Sequence, residues 1–316
     1  MSRYCLYCYQ PLEASDTDFH ESCSLKFFGQ KRAPVLPYSL NEMAELAKNV
    51  VERSVAVPGV QPKLSLTLVN EVLGNGQAGR LTVVGALGGH YIFKPPSNSF
   101  PEMPQNEHVT MRIAEAFGIK TVPSSLIRLA SGELSYITKR IDRTESGEKI
   151  HMLDMYQVLE AFDKYKGSLE KTGKGIGEYS SNTLLDKLNF FELNLFSFVT
   201  GNNDMHLKNF SLIRSGKDWI LSQAYDLLNV TIINPGDTEE TALTLEGKKR
   251  KLKREHFERF GQGLGLTDRQ IAAAFKRLND NKSKAVVWIN SSFLSDELKV
   301  AYKKVLDEKY GKLALV

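Results

Sequence analysis

Near residue 141 the hydrophobic pattern of the chain changes its period, and this change constrains the fold more than any other feature. From residue 54 to residue 140, short apolar runs rich in β-branched and aromatic side chains are separated by Gly, Pro or Asn, which predicts strands and turns. After residue 141, apolar residues recur at helical spacing. The sequence therefore predicts an α+β fold, with a small β-rich part followed by a larger, all-helical part.

The elements follow from the same pattern. A helix with Ser39 as its N-cap precedes the strands, and a second helix at roughly 104–117 interrupts them. The strands are predicted in KLSLTLV, RLTVVGAL, HYIFKP, SLIRLA and LSYITKRI. The later helices are predicted near residues 153–163, 181–200, 254–263, 267–278, 284–293 and 295–308. The Gly-rich segment 165–179 predicts a mobile loop between helices.

The chain has 316 residues, of which 42% are hydrophobic, and this is enough for a sizeable core. We divide it into a Cys/His-containing segment (1–30), a β-rich lobe (31–141) and a helical lobe (142–316). The longest apolar run carries Glu192 and Asn194 and is too short to span a bilayer. The first residues lack the apolar stretch of a signal peptide. We therefore expect a cytoplasmic protein that does not enter a membrane.

All three cysteines lie among the first 23 residues. An odd number confined to one end argues against a disulfide framework. Cys5 and Cys8 form one closely spaced pair and His20 and Cys23 form another, and two such pairs are typical of a tetrahedral Cys3His zinc site. The alternative is that these are reduced, partly buried cysteines and a surface histidine that bind no metal.

The polar segment TGNNDMHLKNF, at 200–210, directly follows a strongly apolar predicted helix. Two apolar runs with a polar turn between them come next and predict a β-hairpin, which would bring Asp226 back towards Asn209. Protein kinases use an Asp, an Asn five residues later and a second Asp beyond a hairpin to hold a magnesium nucleotide beside the attacking hydroxyl. Asp204, Asn209 and Asp226 reproduce this order and spacing.

Each of these residues can also be explained by a structural role instead of a catalytic one. An Asp-x4-Asn pattern arises by chance, and Asn202–Asn203 can cap a helix. Lys208 can be a solvated surface charge, and His206 can be a structural histidine. The kinase motifs are also incomplete, because Asn replaces the Arg of HRD before Asp204, and YDL replaces DFG.

A second kinase-like pair lies in the β-rich part. Lys94 falls in the strand segment HYIFKP, and Glu107 follows 13 residues later at the start of a helix. A strand lysine that grips phosphates and is held by a helix glutamate is a kinase arrangement. Upstream, SVAVPGVQPKLSL predicts a loop whose backbone N–H groups can cover a phosphate, although it is neither GxGxxG nor Walker A. Alternatively, Lys94 protects a strand edge and Glu107 favours a helix N-terminus.

Taken together, these stretches resemble the HipA family of bacterial Ser/Thr protein kinases, the toxins of HipBA-type toxin–antitoxin modules. The resemblance runs from about residue 54 to the C-terminus, and its most specific part is GNNDMHLKNF. It also rests on PGVQPKLSL, YIFKPP, NEHVTMRIAEAFGI, YITKRIDR, IHMLDMYQVL and AYDLLN. It implies a two-lobed, protein-kinase-like fold and MgATP as the phosphate donor.

The resemblance implies a role for each matching position. Asp204 would be the catalytic base, with Asn209 and Asp226 as Mg²⁺ ligands. Lys94, supported by Glu107, would hold the α- and β-phosphates. The resemblance implies three further sets of ATP-binding positions. The phosphate-covering loop would consist of Pro58, Gly59, Val60, Gln61, Pro62 and Lys63. The hinge beside adenine would be Lys139, Arg140 and Ile141, and the residues lining the pocket would be His206, Lys208 and Tyr225.

Two departures from the family pattern change what we expect. Family members often carry a serine just before the GxQ element, and its autophosphorylation switches the kinase off; here Ala56, Val57 and Pro58 occupy those places, with Ser54 nearby. We therefore expect this self-inactivation to be absent or relocated. Full-length HipA also has an extra N-terminal subdomain. In lacking it, the chain resembles the short HipT kinases of three-gene HipBST systems, in which a separate small protein resembles that subdomain.

The resemblance implies a toxin that phosphorylates an aminoacyl-tRNA synthetase and so arrests translation. The partners it implies are a HipB-like DNA-binding antitoxin and a HipS-like small protein. The basic run at 248–254 could dock tRNA or DNA, but a solvated turn and the start of a surface helix explain it too, and we expect no direct nucleic-acid binding. Two other function classes stay open: a catalytically silent module that binds an antitoxin, and a small-molecule kinase.

Overall fold

The computed structural model describes residues 4–13, 16–53, 63–69, 79–84, 88–97, 100 and 102–315. The chain divides into two compact units. Unit 1 comprises Met1–His108, Val122–Lys149 and Ser291–Phe293, and unit 2 comprises Val109–Thr121, Ile150–Asn290 and Leu294–Val316. The division into segments 1–30, 31–141 and 142–316 stays a prediction.

Unit 1 contains an antiparallel sheet of five strands: β1 Leu64–Val69, β2 Arg80–Val84, β3 Tyr91–Lys94, β4 Ser124–Arg128 and β5 Leu134–Lys139. Their order across the sheet is β2-β1-β3-β5-β4. Leu64 lies opposite Phe93, and Phe93 lies opposite Ile137. All three side chains are buried, so this row forms part of an apolar face. The five strands predicted from the sequence are confirmed.

Unit 1 also contains α1 Glu21–Phe28, α2 Leu40–Arg53 and the first residues of α3 Met103–Ala116. The predicted N-cap of α2 is confirmed as a reciprocal pair: the backbone N–H of Ser39 donates to the Glu42 carboxylate, and that of Glu42 donates to the Ser39 hydroxyl. The predicted helix near 104–117 corresponds to α3. The sequence did not indicate α1.

The second half of the chain is mainly helical. Its helices are α4 Met155–Val158, α5 Leu169–Tyr179, α6 Thr183–Val199, α7 Val230–Ile233, α8 Arg254–Gly263, α9 Asp268–Asp280, α10 Lys282–Ser291 and α11 Asp296–Lys312. The centre of unit 2 is α6, where Phe190 packs edge-on against Phe210 and Phe260. All three rings are almost fully buried.

The prediction of an all-helical second part was too strong. Unit 2 holds a three-stranded antiparallel sheet, made of β6 Met152–Asp154, β7 Ser211–Ser215 and β8 Asp218–Leu221. β7 and β8 form the predicted hairpin, with Gly216 at positive φ in its turn. The helix expected at 153–163 is confirmed only in part. Its first two residues belong to β6, and α4 covers Met155–Val158 and ends before Glu160, whose φ is +49°.

The Gly-rich segment 165–179 is not a mobile loop throughout, because most of it is the helix α5. The Ser168 hydroxyl caps this helix by accepting a hydrogen bond from the Lys171 backbone. A Cβ at Gly173 would collide with Leu264, and one at Gly175 would lie 2.9 Å from the Met155 side chain. The glycines therefore allow close packing at this helix.

In the part of the chain that the structure describes, no helix is both long and apolar enough to cross a bilayer.

Candidate catalytic site

The polar segment 200–210 leaves α6 through a sharp turn at Gly201, whose φ is +69°. A Cβ there would lie 2.8 Å from both the Asn229 side-chain oxygen and the Val305 side chain, so only glycine fits without movement. The helix before the turn is buried over almost its whole last half. The following loop is therefore attached to a rigid support.

The asparagines of this loop hold its shape. The backbone N–H of Asp204 donates to the Asn202 side chain at 3.3 Å, and the Asn203 amide donates to the Glu239 carbonyl at 3.0 Å. The side-chain amide of Asn209 donates to the Asp204 carbonyl at 3.0 Å. Because its nitrogen is used in this way, the amide orientation of Asn209 is set relative to Asp204.

The Asp204 side chain has a partner that the sequence did not indicate. The hydroxyl of Tyr165 donates to Asp204 Oδ1 at 2.9 Å. The tyrosine ring packs edge-on against the buried His206, and the Lys164 carbonyl accepts the backbone N–H of Leu207 at 3.1 Å. The segment that precedes α5 therefore contacts the polar loop at three points. Tyr165 lies within the segment predicted to be a mobile loop. In the sequence, only its aromatic side chain could have indicated a role at this site.

Asp226 follows the hairpin, as expected, and its backbone has a φ of +60°. This left-handed conformation is uncommon for residues other than Gly, although Asp adopts it more readily than most, and such residues concentrate at functional sites. Burial raises the pKa of Tyr165, and the carboxylates of Asp204, Asp163 and Asp226 raise it further. The geometric evidence for where the hairpin ends comes from the neighbour of Asp226, because the Tyr225 hydroxyl donates to the Lys208 carbonyl of the polar loop.

Tyr225 attaches the end of the hairpin to the same loop. Its hydroxyl donates to the Lys208 carbonyl at 2.9 Å and therefore accepts from the Ser211 hydroxyl at 2.6 Å. Lys208 itself extends towards Asp154, with an Nζ–Oδ2 distance of 3.6 Å, and lies 4.8 Å from the centre of the Tyr156 ring. Asp154 and Tyr156 are further residues of this site that the sequence did not single out.

In unit 1, Lys94 and Glu107 form an ion pair with an Nζ–Oε1 distance of 2.6 Å. Both side chains are almost completely buried, and Lys94 Nζ lies 5.3 Å from the centre of the Tyr136 ring. Lys94 belongs to β3, the middle strand of the sheet, so it does not protect a strand edge. The buried charges of this pair compensate each other.

The proposed hinge residues continue β5. The backbone N–H of Arg140 donates to the His90 carbonyl, and its guanidinium pairs with Asp142 at 2.7 Å. Lys139 Nζ lies 5.9 Å from the centre of the Phe27 ring. Lys63 is exposed beside β1, and Ile141 is half-buried. The rest of the predicted phosphate-covering loop, with the positions of the family serine, lies outside the described residues: Pro58, Gly59, Val60, Gln61 and Pro62; Ser54, Ala56 and Val57.

The basic run 248–254 covers the turn before α8 and the first residue of that helix. Lys249 pairs with Glu239 at 3.1 Å, and Arg254 pairs with Glu258 at 2.7 Å. Leu252, within the run, is buried. The structure agrees with the interpretation of this run as a turn and the start of a helix.

The N-terminal cysteines and histidine come together. One ligand atom from each of Cys5, Cys8, His20 and Cys23 lies within 4.8 Å of those of the other three. His20 Nδ1 is 3.4 Å from the Cys8 sulfur and 3.7 Å from the Cys23 sulfur. This Cys/His cluster could hold a metal ion.

The arrangement of a small antiparallel sheet followed by a mainly helical part is shared with two solved structures. One is the HipA, HipB and operator DNA complex of Shewanella oneidensis MR-1, with a TM-score of 0.68 and 20% identity over 90% of this chain and 72% of that one. The other is the Helicobacter pylori proinflammatory kinase CtkA, with a TM-score of 0.52 and 16% identity over 71% of this chain and 87% of that one. The predicted fold class is confirmed.

The sequence agrees with this fold. Residues 55–286 match the model of the HipA-like C-terminal domain, and the chain belongs to that family. The resemblance inferred from the motifs is thereby confirmed.

Two curated relatives are similar over part of their length. A Haemophilus influenzae protein named "Putative kinase" is 27% identical over 212 residues, which are 63% of this chain and 59% of the relative. The Sinorhizobium fredii protein "Putative kinase Y4dM" is 31% identical over 246 residues, which are 72% of this chain and 58% of the relative. The chain thus matches less than two thirds of the length of these relatives. Their names support a kinase.

Proposed function

We propose that the protein is a Ser/Thr protein kinase that uses MgATP. The observation that supports this most directly is the arrangement of Asp204, Asn209 and Asp226 in unit 2. The Asn209 amide donates to the Asp204 carbonyl, and Tyr225, the residue before Asp226, donates to the Lys208 carbonyl of the same loop. These contacts support the proposal that the three side chains act together. A carboxylate and an amide oxygen are ligands that suit Mg²⁺, so the residues fit the cation.

In this proposal, bound MgATP supplies the phosphoryl group. Asp204 orients the substrate hydroxyl and accepts its proton, and this carboxylate needs no unusual basicity if proton transfer comes late in a loose transition state. Asn209 and Asp226 hold the cation. Lys94, which its ion pair with Glu107 holds in position, contributes positive charge for the phosphates. Pro58 to Lys63, Lys139 to Ile141, His206, Lys208 and Tyr225 keep the nucleotide-binding roles proposed for them.

The test is phosphoryl transfer from γ-labelled ATP in the presence of Mg²⁺, with cell lysate as a source of substrates. Asp204→Ala should lower protein labelling by about 10²-fold or more, as expected for a lost catalytic base. Asp218→Ala, which changes an exposed aspartate at the start of β8, is the matched control and should label as well as the wild type. Equal labelling by wild type and Asp204→Ala would favour a catalytically silent module. ATP turnover on a metabolite without a labelled protein band would favour a small-molecule kinase.

We further propose that the protein is the toxin of a HipA/HipT-type module in the cytoplasm. The Shewanella oneidensis structure contains a HipB protein and its operator DNA beside HipA, which supports a HipB-like antitoxin as a partner here. A HipS-like small protein and an aminoacyl-tRNA synthetase substrate belong to the same proposal. Induction of the wild type, but not of Asp204→Ala, should stop translation and add a phosphate to one synthetase in the phosphoproteome. A translation arrest without a phosphorylated synthetase would contradict that choice of substrate.

We also propose that Cys5, Cys8, His20 and Cys23 hold one structural Zn²⁺. Elemental analysis of protein purified without chelator should find about one zinc per chain. The double variant Cys5→Ser/Cys8→Ser should contain none.

A further inference from the structure

The distances from His20 to two of the cysteines in the Cys/His cluster fit a tetrahedral zinc site. With Zn–S near 2.3 Å and Zn–N near 2.0–2.1 Å, a sulfur and a nitrogen on one tetrahedral zinc are about 3.6 Å apart. The two distances from His20 Nδ1, 3.4 Å to Cys8 and 3.7 Å to Cys23, lie on either side of that value. His20 Nε2 lies 2.9 Å from the Pro11 carbonyl, which can only accept a hydrogen bond. This contact leaves Nδ1 directed at the sulfurs, as in the outer shell of known zinc sites.

The turn between the first two cysteines forces an unusual conformation on the next residue. The backbone N–H of Tyr9 donates to the Cys5 carbonyl at 2.9 Å, and the N–H of Cys5 donates to the Gln10 carbonyl at 2.9 Å. Tyr9, directly after Cys8, has a φ of +63°. A bulky residue adopts this left-handed conformation only when its surroundings hold it there. A metal bound by Cys5 and Cys8 would supply that constraint.

The side chain of Tyr9 connects this turn to α3. It is 1% exposed, and its hydroxyl is 2.7 Å from His108 Nδ1. Its ring meets the rings of His108 and Phe293 edge-on, with centroids 5.3 Å and 5.2 Å away. The conformation of the cysteine turn is therefore transmitted to one residue of α3 through a buried, directional contact.

That residue adjoins the buried ion pair. His108 immediately follows Glu107 on α3, and Glu107 is the partner of Lys94. Tyr136 also links the two, because its ring lies 6.5 Å from the His108 ring and 5.3 Å from Lys94 Nζ. His108 is therefore connected to Glu107 through the backbone of α3 and to Lys94 through the Tyr136 ring.

Other contacts hold the N-terminal segment on the sheet without involving α3. The Leu126 backbone N–H donates to the Leu6 carbonyl at 3.4 Å, and Arg128 contacts both carboxylate oxygens of Asp18. These contacts attach the segment to β4. Phe27 and Phe28 of α1 also pack against Tyr91 of β3. Among these contacts, the one between Tyr9 and His108 is a buried, directional contact to the helix that carries Glu107.

We propose that the zinc-bound N-terminal segment positions the Lys94–Glu107 pair through Tyr9 and His108, so that metal occupancy sets the affinity for the nucleotide. Tyr9 is in this sense a positioning residue. The inference rests on the proposed kinase function for its effect on ATP. The metal site and its connection to α3 can be tested without that function.

The central experiment compares Tyr9→Phe with Tyr4→Phe in the full chain. Tyr9→Phe keeps the buried ring and loses only the hydroxyl, whereas Tyr4 is 44% exposed and serves as the matched control. Tyr9→Phe should retain zinc and raise the KM for ATP about fivefold, the effect of one lost hydrogen bond, with kcat within about twofold of wild type. Tyr4→Phe should match the wild type in zinc content, KM and kcat. An unchanged KM in Tyr9→Phe would overturn the coupling.

Two further measurements separate the possible failures. Co²⁺ substituted into the wild-type protein should show the visible absorption of a tetrahedral, thiolate-bound ion; absorption typical of octahedral Co²⁺, or zinc-free protein, would overturn the metal site. If no kinase activity is found, thermal unfolding of Tyr9→Phe, Glu107→Gln and the double variant still tests the connection. Non-additive changes support it, and additive changes overturn it, whatever reaction the protein catalyses.

Discussion

Replacing Glu107 by Gln tests how the buried ion pair of unit 1 is maintained. The side chains of Lys94 and Glu107 are 5% and 2% exposed, and their charged atoms are 2.6 Å apart. Gln has nearly the shape of Glu and keeps an oxygen that can accept from the lysine. The substitution therefore removes the negative charge and little else.

The expected loss of stability follows from this geometry. At an effective dielectric constant of about 20, two unit charges 2.6 Å apart attract each other by about 6 kcal/mol. Formation of the pair has already required the desolvation of both ions, and Lys94 would stay desolvated after its partner loses its charge. Loss of one partner of such a pair typically costs about 3–5 kcal/mol. The remaining hydrogen bond to Gln recovers about 1 kcal/mol, so we expect a decrease of about 3 kcal/mol.

The assay is urea denaturation followed by circular dichroism, at constant pH, for four proteins: the wild type, Glu107→Gln, Lys94→Met and the double variant. The double variant carries no unpaired charge, so it should be more stable than the sum of the two single losses implies, by at least about 1 kcal/mol. A change below about 0.5 kcal/mol for Glu107→Gln would refute the reasoning, because the ammonium would then not depend on the carboxylate.

Three further predictions concern other parts of the chain. Gly173→Ala should destabilise the protein by about 1–2 kcal/mol, since overpacking against Leu264 outweighs the helix propensity gained. Gly311→Ala is the control, because the described residues place no atom within 4 Å of the added Cβ. Thermal unfolding should show this control to be as stable as the wild type or more stable. Burial alone would raise the pKa of Glu240, but hydrogen bonds from two lysines and a backbone N–H lower it. Glu240→Gln should therefore be less stable than wild type at pH 7, and the difference should shrink as the pH falls below the ordinary range of a glutamate and through the lowered pKa; a difference that stays constant throughout an acid titration would contradict this. Tyr165→Phe should lower kcat about 10-fold with the KM for ATP unchanged, because the proposed catalytic carboxylate loses a donor, and an unchanged kcat would show that the hydroxyl has no such role.

The elements that the sequence predicted well are those with a strong local signal. The strands of the sheet have β-branched and aromatic runs with turn residues between them, and Ser39 and Glu42 form a capping pair within four residues of sequence. The hairpin after the polar loop was also predicted, because its turn and both of its strands lie within 11 residues. In each of these cases the residues that determine the structure are neighbours in the chain.

The errors occurred where distant residues decide the structure. Glycines suggested a loop at 165–179, but in α5 they leave the space that Leu264 and Met155 occupy, and neither is close in sequence. The first two residues of the helix predicted at 153–163 belong to β6 instead, because β7, about 60 residues later, offered them hydrogen-bonding partners. Tertiary packing overrides local propensity in such places.

The sequence by itself determined the kinds of chemical group available: two aspartates and an asparagine after an apolar helix, a lysine on a strand, and three cysteines with a histidine near one end. Only the tertiary structure decided which other groups accompany them, including Tyr165 on Asp204 and Tyr9 on His108. The physical reason is that a hydrogen bond or a buried ion pair depends on distance and direction in space. For residues 39 or 99 positions apart, those quantities are set by the packing of whole elements, which local sequence does not encode.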